Sequence, residues 1–268
     1  MESRPKPPDR TVSDPRQHES YYRGNEAYAE FLAGWDPAFY GKYTDALRPP
    51  GGRGRVLDVG CGVGQVVGAL ARDGVDAQGV DVSAPNIERA SRVTDRCQLY
   101  DGARLPFPDR HFAAVGALNV LEHVDQPEAF LAELVRVTAP GGRVVVSSPN
   151  FRRVIGFRDY HPRMRGIRHK WENWLRLREK RREMARSPES VRFDRTPPIV
   201  KEPFEPDDDA IILTNAVELE FFLRRLGCDI EEVSCTDRRV ARVLDWILNA
   251  TPLRYYMFSG WVVGRRRG

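Results

Sequence analysis

Val56-Leu57-Asp58-Val59-Gly60-Cys61-Gly62-Val63-Gly64-Gln65 is the stretch whose reading decides the fold. An apolar strand runs into a turn with glycine at every second position, and the turn opens the helical pattern of residues 66–72. A second strand follows, Ala77-Gln78-Gly79-Val80-Asp81, and ends in a carboxylate. A backbone without Cβ atoms lets a ligand lie directly against it. An acid at the tip of the neighbouring strand can grip a ribose through its hydroxyls. Together these features describe a pocket for an adenosine-bearing cofactor.

The dinucleotide fingerprint Gly-x-Gly-x-x-Gly holds a pyrophosphate at a helix N-terminus. Here the third glycine, Gly64, comes one residue early, and Asp58 stands two residues before the first, where it would repel a pyrophosphate. A carboxylate at that place suits a ligand carrying an amino group. S-adenosylmethionine has one, and bears a sulfonium cation in place of phosphates.

The chain resembles the class I S-adenosylmethionine-dependent methyltransferases, and the likeness extends past the glycine turn. Tyr100-Asp101-Gly102-Ala103 with Leu105-Pro106-Phe107-Pro108-Asp109 is similar to the family's adenine-side loop. Residues 112–124, ending in Leu121-Glu122-His123-Val124, are similar to its fourth strand and the turn after it. Residues 131–137, Pro140-Gly141-Gly142 and Val144-Val145-Val146 are similar to the next helix and fifth strand. The resemblance is dense over 50–150 and loose over 212–264. It implies S-adenosylmethionine as cofactor, with Asp58 toward the methionine amino group and Gly60, Cys61, Gly62 and Gly64 beneath the methionine. Asp81 is implied at the ribose, Val82 beside the adenine, and Asp101 at the adenine amino group. Gly102 and Ala103 pack there, and Asn119 and Val120 line the methionine side. His123 is the candidate base: its ordinary titration near neutrality suits removal of an acceptor proton. The ubiquinone-pathway O-methyltransferase group has Glu-x-x-Glu-His at this turn and can use it for a divalent metal. Asn119-Val120-Leu121-Glu122-His123 lacks one carboxylate, which weakens hard oxygen coordination, so no metal is expected.

Independently of the resemblance, strands and helices alternate from Arg55, which implies a parallel sheet covered on both faces. Strands are expected near 55–59, 76–81, 97–100, 112–118 and 143–148, and helices near 64–73, 84–92 and 127–138. Thr214 or Asn215 can cap a further helix that Gly227 ends. Strands then follow at 230–235 and 254–265. The fold class is α/β: a Rossmann-like, seven-stranded, mostly parallel sheet with an antiparallel last strand. A basic insertion lies between the fifth strand and the last helix. The domain reading is a loose tail over 1–19, capping helices over 20–48, the cofactor core over 49–150, the insertion over 151–210 and the rest of the core over 211–268.

Residues 151–186 carry 13 Arg or Lys against 4 Asp or Glu, a net +9, whereas the whole chain is only +4. Tyr160, His161, Arg163 and Arg165 of this insertion, with Tyr22 from the N-terminal part, are candidates for acceptor binding, since arginine forks match phosphate and carboxylate. The same basic charge equally suits a solvated helical face. Ile167, Trp171, Trp174, Leu175 and Arg178 fall at helical spacing. That stripe can pack on the core as a lid, or touch an anionic membrane as a peripheral contact. No apolar run approaches the ~20 residues of a spanning helix, and residues 1–6 begin no secretory signal. Cys61, Cys97, Cys228 and Cys235 form no Cys-x-x-Cys pair and read as small thiols of a reducing cytoplasm.

The expected function is methyl transfer to a small-molecule acceptor or to an anionic or lipid-linked glycan. The alternatives are a nucleic-acid methyltransferase and a non-catalytic binding protein. The Asn-Pro-Pro-Tyr type tetrapeptide used on base amino groups is absent after the fourth strand, so nucleic acid is not the expected partner. Oligomeric state leaves no signature.

Overall fold

The computed structural model describes residues 23–156, 164–198 and 209–268. The expected tail over 1–19 lies outside the described residues, as do Tyr22, Tyr160, His161 and Arg163. Seven strands form one sheet: β1 (Arg55–Val59), β2 (Asp76–Asp81), β3 (Cys97–Leu99), β4 (Phe112–Leu118), β5 (Thr138–Pro149), β6 (Cys228–Ser234) and β7 (Ser259–Arg266). Their order is β3-β2-β1-β4-β5-β7-β6. Strands β1 to β5 pair in parallel, and β7 runs antiparallel to both β5 and β6.

The strand sequences are apolar on both sides because helices cover both faces. One face of the sheet presents Leu57, Val59, Val115, Val144, Val146 and Val262. Helices α5 (Pro127–Val137) and α7 (Ala216–Arg225) cover it through Leu131, Leu134, Leu219 and Phe222. The other face presents Val56, Ala77, Val145, Trp261 and Val263 against Tyr43 and Leu47 of α2 (Gly41–Leu47) and Val66, Val67 and Leu70 of α3 (Gln65–Arg72). The alternation along β7, Trp261 to one side and Val262 to the other, is the pleat of a buried strand. Helices α1 (Glu26–Ala33) and α4 (Ala84–Ala90) complete the N-terminal half.

The reversal of strand order falls between β1 and β4, which sit side by side and lead their connections to opposite sides. In sheets of this kind the crevice beyond the carboxyl ends of those strands is the ligand site.

Three details differ from the sequence reading. Strand β5 starts at Thr138, opposite Phe112, and Arg143 is already opposite Ala114, so Ala139-Pro140-Gly141-Gly142 bulges out of the ladder. The expected strand over 254–265 begins only at Ser259, because Pro252–Tyr255 forms a helical turn. A helix α8 (Arg242–Asn249) precedes that turn. The sequence reading assigned no element to these residues.

The insertion contributes α6 (Ile167–Arg186), whose buried side chains are Asn173, Leu177 and Lys180. The expected aromatic stripe does not pack on the core: Trp171, Leu175 and Ile167 are exposed. Beside Leu177 and Met184, which pack inward, α6 is attached by ion pairs. The Lys180 ammonium lies 2.9 Å from the Asp194 carboxylate and 3.1 Å from that of Glu218 on α7. Arg176 and Arg152 also hold Asp194. Burial pushes the Glu218 carboxyl up to about 7, against the opposing pull of Lys180.

Removing one partner of a buried ion pair leaves an uncompensated charge, at about 3–5 kcal/mol. Lys180→Met should therefore lower unfolding free energy by about that amount in urea titrations at mildly alkaline pH. Since a carboxyl with a raised native pKa loses its stabilising protonated form as pH rises through that pKa, the deficit should shrink on acidification.

Candidate active site

The site begins where β1 ends. Gly60, Gly62 and Gly64 all take positive φ values, 76°, 52° and 78°, a region that penalises side chains. A Cβ on Gly60 would collide with Val120. Two strand ends are tied here: the Gly62 N–H donates to Asp81 Oδ2 at 2.8 Å, and the Ser83 N–H donates to Asp81 Oδ1 at 2.8 Å. Asn86 Nδ2 adds a third donor at 3.3 Å. The Asp81 carboxylate is thereby fixed at the lip of the glycine turn.

Asp58 is 3 % exposed, and the Tyr43 hydroxyl donates to its Oδ1 at 2.7 Å. Burial pushes its carboxyl up to about 7, with the Tyr43 bond acting downward and the charge of Asp81 upward. Tyr43 reaches Asp58 across a strand position that has no side chain: a Cβ on Gly116 would strike the Tyr43 ring and hydroxyl. Tyr43 was not singled out from sequence; it lies in the segment read only as capping helices over 20–48.

These groups open onto a cleft of about 490 Å³. Of the expected site residues, Asp58, Gly60, Cys61, Gly62, Asp81, Val82, Asp101, Gly102, Ala103, Asn119, Val120 and His123 line it. Gly64 does not. It precedes α3 in a left-handed conformation, where a Cβ would press on Ala90 and Cys97, so its smallness serves packing. Asp101 Oδ1 accepts the Ala103 and Arg104 N–H groups, which makes it a turn-forming residue as well as a wall. Asn119 adopts φ 53°, one of two described non-glycine residues on that side, and swings the chain from β4 into the turn bearing His123. Asparagine tolerates this conformation better than most side chains.

Cys61 is buried, and its contact with Cys97 followed by burial pushes the thiol well above its ordinary range. It fills space beside Gly79 and is no nucleophile.

The His123 ring stands between two buried acids. Its Nε2 lies 3.9 Å from Glu122 Oε1, and its Nδ1 lies 3.8 Å from Asp209 Oδ1. The Ser148 hydroxyl donates to Glu122 Oε2 at 2.7 Å. Burial pushes the Asp209 carboxyl up to about 7. Asp209 was missed because it ends an acidic run after a proline-rich stretch, which reads as loop. Its signal is the return to apolar residues at Ala210-Ile211-Ile212-Leu213. Among the described residues no group of three or more His, Cys, Asp or Glu is arranged to hold a metal ion.

The outer wall is aromatic: Phe31, Trp35, Phe39 and Tyr40 face the cleft from the N-terminal helices. Trp35 and Phe39 meet edge to face at 4.4 Å. Arg23 is the one Arg or Lys among the described lining residues. Arg165 and the basic face of α6 lie elsewhere, so among the described residues the insertion's charge is not directed at the cleft.

The cleft also suits the cofactor that the glycine turn implies. Gln65 Oε1 and Asn86 Oδ1 are buried acceptors on its lining without a hydrogen-bond partner. Buried acceptors left in this way call for donors, and a nucleoside with hydroxyl and amino groups supplies them.

A family model described as a methyltransferase domain matches residues 31–189, more than half of the chain. The chain belongs to the class I S-adenosylmethionine-dependent methyltransferase family. It is similar to the ubiquinone biosynthesis O-methyltransferase of Xylella fastidiosa, 35 % identical over 48 % of this chain and 61 % of that protein. It is also similar to the 2-methyl-6-phytyl-1,4-hydroquinone methyltransferase of Synechocystis sp., 37 % identical over 39 % of this chain and 34 % of that one. The matched region thus spans about a third to three fifths of these curated relatives. In fold it resembles the S-adenosylmethionine-dependent methyltransferase from Mesorhizobium loti, with a TM-score of 0.55 and 17 % identity over 88 % of this chain and 100 % of that one.

The Asp58–Tyr43 bond gives a pH test. An ammonium group binds the ionised carboxylate, so affinity for S-adenosylhomocysteine should rise as pH increases through about 7. Tyr43→Phe removes the bond that favours ionisation. Calorimetric titration should show the midpoint moved to higher pH and affinity at neutrality reduced by about tenfold, the usual scale for a hydrogen bond to a charge. An unchanged midpoint would separate Asp58 from the amino group.

Proposed function

We propose that this chain transfers the methyl group of S-adenosylmethionine to a small, largely apolar aromatic acceptor, at a hydroxyl oxygen. The observation that carries this reading is the continuity of one cleft. The glycine turn with Asp58 and Asp81 forms its floor, and the aromatic wall with His123 forms its mouth.

When bound, the cofactor supplies an electrophilic methyl group on a positively charged sulfur. The residues of the chain then have three tasks. Asp81 offers its fixed carboxylate to the ribose hydroxyls, and Asp58 offers its own to the amino group. Phe31, Trp35, Phe39 and Tyr40 exclude water and hold an apolar ring against the reacting centre, where alignment contributes most. His123 takes the proton from the acceptor hydroxyl, and that proton comes to rest between Glu122 and Asp209.

The lining favours an apolar acceptor over the anionic or glycan acceptors that the basic insertion suggested, because Arg23 is the single Arg or Lys among its described residues. Both quinone-pathway names support an aromatic acceptor, and that of the ubiquinone biosynthesis O-methyltransferase supports transfer to oxygen. Among the described lining residues a nucleic-acid acceptor finds no run of basic side chains.

The test is transfer of labelled methyl from S-adenosylmethionine to a panel of hydroquinones, phenols and aromatic amines, with bulk RNA as a competitor class. Label on a phenolic oxygen is the expected result. Label on RNA, or no binding of S-adenosylhomocysteine, overturns the reading. His123→Ala should lower kcat by about 100-fold or more and leave S-adenosylhomocysteine affinity within about twofold of the parent, since a base adds nothing to cofactor binding.

A further inference from the structure

Helix α8 is turned inside out. Its polar side chains face the protein: Asp245 Oδ1 accepts from the Thr236 hydroxyl at 3.0 Å, and Asn249 Oδ1 accepts from the Cys235 N–H at 2.9 Å. Asn249 Nδ2 also donates to Asp245 at 2.9 Å. Leu248 is the helix's buried apolar residue. The solvent face carries Val243 at 72 % exposure, Trp246 at 70 %, and Leu244 and Ile247. Val243, Trp246 and Ile247 follow the i, i+3, i+4 spacing of one stripe, and Val240, exposed just ahead of the helix, extends the patch. An exposed helix normally shows the reverse arrangement, and a contiguous apolar patch marks a contact surface.

Charge decides what covers it. Across 238–250 the chain has Arg238, Arg239 and Arg242 against a single acid, Asp245, and Asp245 is turned inward. Asp45 pairs with Arg239 and Asp237 stands near Arg238, while Arg242 is exposed at the start of the helix. The outward face of α8 itself is apolar and cationic. Helix α6 shares the feature in part: Asn173 and Lys180 are inside beside Leu177, and Ile167, Trp171 and Leu175 are outside among Arg168, Arg178, Arg182, Glu172 and Glu179. The two helices are linked through Tyr256, whose hydroxyl accepts from Arg181 of α6 and which lies in the turn that follows α8.

We propose that the exposed face of α8, aided by the α6 stripe, docks this chain on an anionic lipid bilayer. Trp246, Val243 and Ile247 enter the interfacial layer and Arg242 meets lipid phosphates. The site is placed for delivery of an apolar molecule: Arg238, two residues before the stripe begins, lies with its guanidinium 4.5 Å over the ring of Phe39, which lines the cleft. A bilayer fits better than a second copy of the chain, because the α8 face pairs Trp246 with Arg242 and offers no outward acid to meet the arginine of an identical face.

The test uses the full chain with vesicles of equal parts phosphatidylcholine and phosphatidylglycerol, and with phosphatidylcholine vesicles alone. Co-sedimentation with the anionic vesicles, weakened by added salt, and little with the neutral ones is the expected result. The triple variant Val243→Ser, Trp246→Ser, Ile247→Ser should lose at least about tenfold in partitioning, and Arg242→Glu severalfold. Both should keep S-adenosylhomocysteine affinity, which shows that they fold. Three outcomes overturn the proposal: no partition into anionic vesicles at low salt, undiminished partition of the triple variant, or a concentration-dependent dimer that the triple variant dissolves. Loss of partition with Ile167→Ser, Trp171→Ser but not with the α8 triple would likewise overturn it.

Discussion

The Asp81 carboxylate joins the end of β2 to the glycine turn after β1, and the rest of the site is arranged around that junction. A turn built of left-handed glycines has little intrinsic reason to stay in one shape, because glycine gives up more backbone freedom than any other residue. Two oxygens of one buried carboxylate, accepting N–H groups from both sides of the gap, replace that missing stiffness. The cost is a charge held out of water, and burial does raise the Asp81 carboxyl above its ordinary range. A second buried acid, Asp58, adds its own repulsion to the same small volume. Two neighbouring carboxylates facing one cleft are poorly balanced by protein alone. A cationic ligand with donor groups balances them.

The aromatic cap belongs to the same arrangement. Tyr43 sits on α2, contacts Trp261 on β7 edge to face and hydrogen-bonds Asp58 on β1. The N-terminal helices are therefore anchored at the cofactor floor and the sheet's antiparallel strand at once. Of their other aromatics, Trp35 and Phe39 form the cleft wall through ring packing, with the Arg238 guanidinium over Phe39. Gly116 makes this possible by leaving a strand position vacant for the Tyr43 ring.

Much of this was legible in the sequence because it is local. Glycine spacing, an acid at or beside the ends of β1, β2 and β3 and the alternation of strand and helix depend on residues close in the chain, and 12 of the 13 expected cofactor and base residues line the cleft, Gly64 being the exception. What stayed hidden depends on distant partners. Tyr43 and Asp58 are paired across the sheet, and Asp209 reaches His123 from the far side of the insertion. The direction of the α6 stripe, for which both a core-facing and an outward reading were open, was undecided for a different reason, and α8 had no reading. A helical stripe of apolar residues is ordinarily read as facing inward, and α6 and α8 are held by Lys180, Asp245 and Asn249 on their polar sides. Periodicity locates the stripe and says nothing about which way it points.

The ionic attachment of α6 bears on how this chain can change over evolutionary time. Glu218 is part of α7, in the sheet's helical cover, while the ammonium facing it comes from the insertion. A variant that lost the insertion would leave an acid in the interior without its ammonium, whereas one that neutralised Glu218 alone would leave Lys180 still paired with Asp194. The dependence therefore runs one way: the insertion keeps an ion pair of its own, and the helical cover relies on the insertion.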